Sequence, residues 1–173
     1  MSAPPGEPLV AIIVVNWNGK DYALECLSSL RKLLYPALQI ILVDNASTDG
    51  SIEAVKKSFP EVTILALKEN LRFAGGNNHG IRHALEQGAD LILLLNNDTI
   101  VDPHCVTHLV NRIRSDNRNA MVAPKIYYFD RRDVIWYAGG EISTWTGTFS
   151  HSGIREKDRG QFSTAHDTDY ATG

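Results

Sequence analysis

An α/β fold with a mostly parallel central sheet and helices on both faces is the class this sequence predicts. Three observations carry that reading. Runs rich in aliphatic residues recur at Leu9–Val15, Leu38–Val43 and Leu91–Leu95 without polar alternation, as strands covered on both faces require. Segments with helical spacing separate the strands, the rhythm of a parallel sheet. Each run also ends in polar residues: Asn16-Trp17-Asn18-Gly19, Asp44-Asn45-Ala46-Ser47 and Asn96-Asn97-Asp98. Ligands of open α/β sheets bind outside the carboxyl ends of the strands.

The elements follow in order. Leu9–Val15 is the first strand. A helix with Leu24, Leu27, Leu30 and Leu34 on one stripe comes next, stopped near Pro36. Leu38–Val43 is the second strand. Ser47-Thr48-Asp49-Gly50-Ser51 is rich in helix-capping types, and 52–59 reads as a short helix. Val62–Ala66 is the third strand. A glycine-rich turn at Gly75-Gly76 is expected to lead into a helix bearing Ile81, Ala84 and Leu85, closed by Gly88. After the fourth strand, Leu91–Leu95, Asp102-Pro103 pairs an N-cap with a first helical residue. The helix behind it turns Val106, Leu109, Val110 and Ile113 inward. Met121–Ala123 is read as a fifth strand.

Beyond residue 124 the rhythm changes. Ile126–Phe129 and Val134–Ala138 read as strands around the turn 130–133, and 155–168 as an exposed loop. The expected organisation is a disordered leader over 1–8, an α/β core over 9–124 and the β-rich start of a further region over 125–173. The last part reads as incomplete, with no closing element before Gly173.

Composition narrows the function. The chain has 173 residues, enough for one domain, and its 43% hydrophobic content suffices for a sizeable core. Seventeen Lys and Arg against twenty Asp and Glu give a net charge of −3, and no long basic run appears. Nucleic-acid binding by bulk charge is thereby disfavoured. Cys26 and Cys105 stand far apart without a CxxC motif and read as reduced thiols on helices. The leader lacks the charged start and apolar stretch of a signal peptide, and no apolar run reaches the length of a membrane span. The expected location is cytoplasmic, with contact at the inner face of a membrane left open for the complete protein.

Among the polar residues Asp98 comes first. Mg²⁺ takes one or two protein carboxylates and fills its shell with phosphate oxygens and water. One aspartate at a strand end therefore suffices to hold a Mg²⁺ or Mn²⁺ ion on a diphosphate, with the Asn96 amide oxygen assisting. The competing reading is a turn in which these residues cap the strand. Asp44 can accept a hydrogen bond from a nucleobase N–H, or cap the following helix. In the segment 70–80 the paired glycines allow close backbone approach to a ligand, and the helix start behind them favours anions. It is neither a P-loop nor a GxGxxG motif. His79 and His83, like His104 and His108, lie four apart without HExxH or a third ligand, and read as surface or packed residues. Trp136, Tyr137 and Trp145 either fill core or stack on a sugar.

Four of these motifs, 14–19, 43–51, 70–80 and 95–99, occur in order and at the right spacing. Together they resemble the amino-terminal half of a family 2 glycosyltransferase of the Rossmann-like GT-A fold, in a variant similar to bacterial rhamnosyltransferases. The resemblance covers nearly the whole chain from residue 9. It implies transfer of a sugar, rhamnose among the candidates, from a UDP- or dTDP-sugar to a glycan or lipid-linked acceptor, with inversion at the anomeric carbon. By the same resemblance the backbone at Val15 and the side chain of Asn16 border the base, Asp44 hydrogen-bonds it, and Asn18 belongs to the same nucleotide-binding set. Arg72, Gly76, Asn77 and Asn78 line the nucleotide pocket. Asn96, Asn97 and Asp98 stand where the family has its DxD-type motif, with Asp98 and Asn96 on the metal. Asn96 replaces the first acid of that motif, and Asn77 stands where many relatives have a basic residue. The catalytic base is expected from an acidic residue beyond Gly173. Two alternatives remain at this point: a non-catalytic nucleotide-binding fragment, and a nucleotidyltransferase.

Overall fold

The computed structural model describes residues 6–172. Most of the expected leader lies outside the described residues. Its last two positions are tied down: the Tyr35 hydroxyl hydrogen-bonds Glu7 Oε2 at 3.1 Å and Pro8 O at 2.8 Å.

The chain divides into two compact units, the first ending at Val106, ahead of the boundary expected at 124. Four parallel strands build the first unit: β1 (Val10–Asn16), β2 (Leu38–Asp44), β3 (Thr63–Ala66) and β4 (Leu91–Asn96), in the order β3-β2-β1-β4. Helices α1 (Lys20–Leu30), α2 (Ser51–Ser58) and α3 (Arg72–Glu86) connect them, and α4 (Cys105–Arg114) follows. The order has a direct consequence. The chain steps outward from β1 to β2 and β3, then returns to the other side of β1 as β4. Right-handed crossovers then put α1 and α2 on one face and α3 on the other. Between β1 and β4 lies the switch point where such sheets open a crevice.

Burial follows the pleat. Ala11, Ile13, Ile41 and Val43 point to one face and pack with Ala84 of α3. Ile12, Val14 and Leu42 point to the other face and are fully buried, as are Ala23, Cys26, Leu27 and Leu30 of α1. The stripe that α1 buries is therefore shifted from the expected one. Leu34 lies beyond the helix and is 63% exposed.

The glycines of α3 correct a second expectation. The helix begins at Arg72, so Gly75, Gly76 and Gly80 lie within it rather than in a turn before it. A β-carbon on Gly80 would stand 2.6 Å from Ile13 Cγ2, and one on Gly76 would stand 2.9 Å from Val15 Cγ1. The two residues are four apart and so share a helix face. Their missing side chains let α3 press onto β1 and β2. They serve packing.

Two antiparallel hairpins form the second unit: β5 (Ile126–Tyr128) with β6 (Arg131–Tyr137), and β7 (Gly140–Ser143) with β8 (Thr148–His151). The first matches the expected pair of strands, with its turn at 129–130. The fifth strand expected at 121–123 is not formed; Met121 is 68% exposed and the segment has no ladder partner among the described residues. Residues 155–168 run as irregular chain that still braces β6. Ile135 N donates to Glu156 O and Arg155 N donates to Ile135 O, both at 2.8 Å. Tyr137 is buried and Trp136 partly so, edge-on to His151. Trp145 departs from the core-filling reading: it sits in the β7–β8 turn and is 98% exposed.

Candidate functional site

Register alone brings the polar strand ends together. Asn16 pairs with Asp44 across β1 and β2, and Val15 pairs with Asn96 across β1 and β4. The side chains then interlock. Asn16 Nδ2 donates to Asp44 Oδ1 at 3.0 Å and to Ser47 Oγ at 3.2 Å. Asn97 Nδ2 donates to Asn16 Oδ1 at 2.9 Å. Ser47 N donates to the other Asp44 oxygen at 2.8 Å.

These bonds decide the place of two expected site residues. Asn16 and Asp44 are both 0% exposed, and both Asp44 oxygens already accept internal hydrogen bonds. Asp44 holds Asn16 and the turn at Ser47. Each Asp44 oxygen accepts one of these bonds, and the carboxylate keeps further acceptor capacity. The capping alternative goes elsewhere. Ahead of α2 it is Asp49 that accepts hydrogen bonds from both the backbone and the hydroxyl of Ser51, and also from Lys20 N at 2.9 Å.

An open cleft of about 700 Å³ is lined by Val15, Trp17, Asn45, Asn70, Arg72, Phe73, Asn96 and Asn97. Val15, Arg72, Asn96 and Asn97 were expected at the site. Trp17, Asn45, Asn70 and Phe73 were not assigned there, although all four lie inside the motifs already singled out. Trp17 and Phe73 expose 58% and 60% of their surface. Large exposed aromatics flanking a cleft were the available signal.

Asn45 shapes one wall. Its Nδ2 donates to Arg72 O at 3.2 Å and its Oδ1 accepts from Leu71 N at 3.3 Å. Arg72 N donates to Asn70 Oδ1 at 2.7 Å. Together these bonds hold Arg72 at φ +60°, a conformation that costs a non-glycine residue about 1–2 kcal/mol. Arg72 supplies the positive charge of the cleft lining.

Gly76 and Asn77, expected in the nucleotide pocket, face inward. Gly76 packs on Val15, and Asn77 is 5% exposed with its Nδ2 donating to Phe73 O at 3.0 Å. Asn78 is exposed on α3. Asn18 is exposed at φ +50° and bridges to the next strand end, where its Oδ1 accepts from Thr48 N at 2.8 Å.

Asp98 is exposed in the turn just after β4. That turn is anchored from below. The Asn96 carbonyl accepts from Thr99 Oγ1 at 2.7 Å and from the buried Cys26 thiol at 3.7 Å. Burial pushes the Cys26 thiol up to about 11, with a further upward push from the Asp98 charge. Among the described residues no three His, Cys, Asp or Glu side chains gather into a metal-ligand group, and neither histidine pair has such company. The donor set at the β4 end is thus one exposed carboxylate beside amide oxygens. That fits Mg²⁺ or Mn²⁺ completing its shell with phosphate and water; it does not fit a closed protein cage such as structural zinc requires.

Solved structures share this architecture. A mannosyltransferase from Pyrobaculum calidifontis, solved with GDP-mannose and Mn²⁺, superposes with a TM-score of 0.55 at 21% identity, over 72% of this chain and 37% of that one. Staphylococcus aureus TarS 1–349 with UDP-GlcNAc superposes with a TM-score of 0.56 at 19% identity, over 73% of this chain and 42% of that one. The fold is that of the GT-A glycosyltransferases. The glycosyl transferase family 2 profile matches residues 11–171, and the chain belongs to that family. Among its relatives, an uncharacterised glycosyltransferase of Rickettsia typhi is 27% identical over 135 residues, covering 78% of this chain and 37% of the relative. Glycosyltransferase GlyG of Streptococcus pneumoniae is 26% identical over 132 residues, covering 75% of this chain and 42% of the relative. The chain thus spans less than half the length of these relatives. Among the described residues no helix is long and apolar enough to cross a membrane.

Proposed function

We propose that the chain binds a nucleoside-diphosphate sugar in the cleft at the β1 and β4 ends, as the donor-binding part of an inverting glycosyltransferase. One observation carries the reading: a cleft at the sheet's switch point combines exposed aromatics, one cation, converging amides and an adjacent exposed carboxylate. Trp17 and Phe73 offer ring faces to the base. Asn45 and Asn70 fix the wall, and Arg72 meets the diphosphate charge. Asp98, assisted by Asn96, would hold a Mg²⁺ or Mn²⁺ ion. Such an ion neutralises charge that grows on the diphosphate as the sugar leaves.

Names of similar proteins support the donor class, since one solved neighbour carries GDP-mannose with Mn²⁺ and another UDP-GlcNAc. The donor sugar is proposed as a hexose on UDP, dTDP or GDP, with rhamnose kept from the motif resemblance. The acceptor is proposed as a glycan or lipid-linked sugar reached at the inner face of a membrane. Inversion requires a general base to take the acceptor hydroxyl proton as the new bond forms; none of the cleft-lining residues is a carboxylate or histidine.

Calorimetric titration of the chain with UDP, dTDP and GDP, each with and without Mn²⁺, tests the reading. Binding of at least one nucleotide, strengthened by Mn²⁺ and weakened by Arg72→Ala, is expected. Asp98→Ala should remove the Mn²⁺ enhancement. Failure of all three nucleotides to bind would refute the proposal.

A further inference from the structure

Asp44, Asn16 and Asn97 form one hydrogen-bonded line across the ends of three adjacent strands or their turns. Its direction is determined. Both Asp44 oxygens act as acceptors, so the Asn16 NH₂ must turn toward Asp44 and its carbonyl toward Asn97. Asn97 must then donate. The residue beside Asp98 is thereby held in one orientation by a pair of side chains that never reach the surface. We propose that Asn16 is a positioning residue, which sets the Asn96-Asn97-Asp98 turn for a divalent cation through its bond to Asn97.

A second observation stands apart from the hydrogen bonds. A β-carbon on Gly19 would lie 2.6 Å from Asn97 Nδ2 and 2.9 Å from Asn16 Oδ1, inside the bond itself. Gly19 has φ −121°, a backbone conformation open to any residue. Glycine at this position is needed for the space occupied by that bond and not for its own dihedral angles. The line also links the β2 end to the β4 turn.

This inference rests on the donor-binding reading above. Asn16→Leu would unpair a buried carboxylate and unfold the site, so the informative variants are Gly19→Ala and Asn97→Ala, made in the full chain. Mn²⁺ is titrated against chain saturated with UDP, and UDP is titrated separately without metal. Residues that orient metal ligands typically change metal affinity by about 10–100-fold. Each variant should weaken Mn²⁺ at least about tenfold, and Gly19→Ala, at a residue outside the cleft lining, should leave metal-free UDP affinity within about twofold. The double variant should be no weaker than Asn97→Ala alone, since both changes break one bond. Unchanged Mn²⁺ affinity in the folded variants overturns the assignment, and so does an equal loss of Mn²⁺ and metal-free UDP binding in Gly19→Ala. If the wild-type chain binds no UDP at all, the donor-binding reading falls and takes this one with it. Binding by wild type with indifferent variants sinks this one alone.

Discussion

The two units solve the same problem with different materials. In the first, strands are held by apolar burial on both faces: Ile12, Ile13, Ile41 and Leu42 are all fully buried. Its polar side chains are released from that task and bond to one another at the strand ends. In the second, short hairpins carry few buried apolar residues, chiefly Ile135, Tyr137 and Ala138. There, polar and aromatic side chains do the holding. Lys125 Nζ and the Tyr127 hydroxyl both meet Asp158 Oδ2 at 2.5 Å, and the Tyr137 hydroxyl donates to Tyr170 O at 2.5 Å. A hydrogen-bonding group spent on tying loops together is not available to a ligand. The cleft lined by Trp17, Arg72 and Asn97 lies in the unit with the larger core.

The comparison can be broken most severely at β1. Ile12→Ala removes a wholly buried side chain and should cost the first unit roughly 2–5 kcal/mol. Phe149→Ala, at a residue 69% exposed in β8, should stay within about 0.5 kcal/mol. Urea denaturation followed by residue-resolved hydrogen exchange separates the two units; equal costs would mean that burial does not distinguish them.

The next largest effect concerns space. Gly80→Val drives methyl groups into Ile13 and Val43 and should destabilise the first unit by about 1–3 kcal/mol. In the β7–β8 turn, Gly147 has φ +65° with nothing within 4 Å of a β-carbon. Gly147→Ala should therefore cost only the left-handed backbone penalty, about 1–2 kcal/mol, and Gly147→Asn less, since Asn tolerates that region. Thermal melts of the three variants give the ranking.

A smaller effect tests the hydroxyl anchors. Tyr137→Phe keeps the buried ring and loses the bond to Tyr170 O, for about 1 kcal/mol. Exchange protection should fall around β6 and β7 and remain unchanged in β1.

The smallest effect is a pH dependence. Hydrogen bonds from Lys125 and then Tyr127 pull the Asp158 carboxyl down to about 2. A carboxyl whose folded pKa lies below its unfolded value stabilises fully above the unfolded range, near 4, and loses that contribution as pH falls toward 2. The melting temperature of wild type should drop more steeply over that window than that of Asp158→Asn. Parallel curves would show that the Lys125–Asp158–Tyr127 contact contributes nothing.

What could be read from the residues divides along the same line. The parallel core was legible because unbroken aliphatic runs and polar strand ends are local signals, and register follows from them. The glycines of α3 were placed in a turn ahead of the helix because the atoms they make room for, on Ile13 and Val15, lie about sixty residues away in sequence. The bond from Asn16 to Asp44 is hidden for a related reason: it is apparent only once β1 and β2 are paired. Asn45 sat inside a motif, yet its grip on Leu71 and Arg72 is a contact between distant loops. In the second unit, Met121–Ala123 had a strand's composition but no neighbouring strand to receive it. The hairpin β7–β8, interrupted by Trp145 and Gly147, showed too little alternation to be assigned.

Cys26 has a use beyond its packing. Its sulfur sits beneath the Asn96 carbonyl with no surface of its own, and its proton is held far above neutral pH. Alkylating reagents react with an accessible thiolate, so labelling must wait until α1 and the tip of β4 part. The rate of iodoacetamide capture at this sulfur is thus an intrinsic clock for breathing at the sheet's carboxyl edge. A nucleotide that seals the edge should slow that clock, without any probe having been added to the chain.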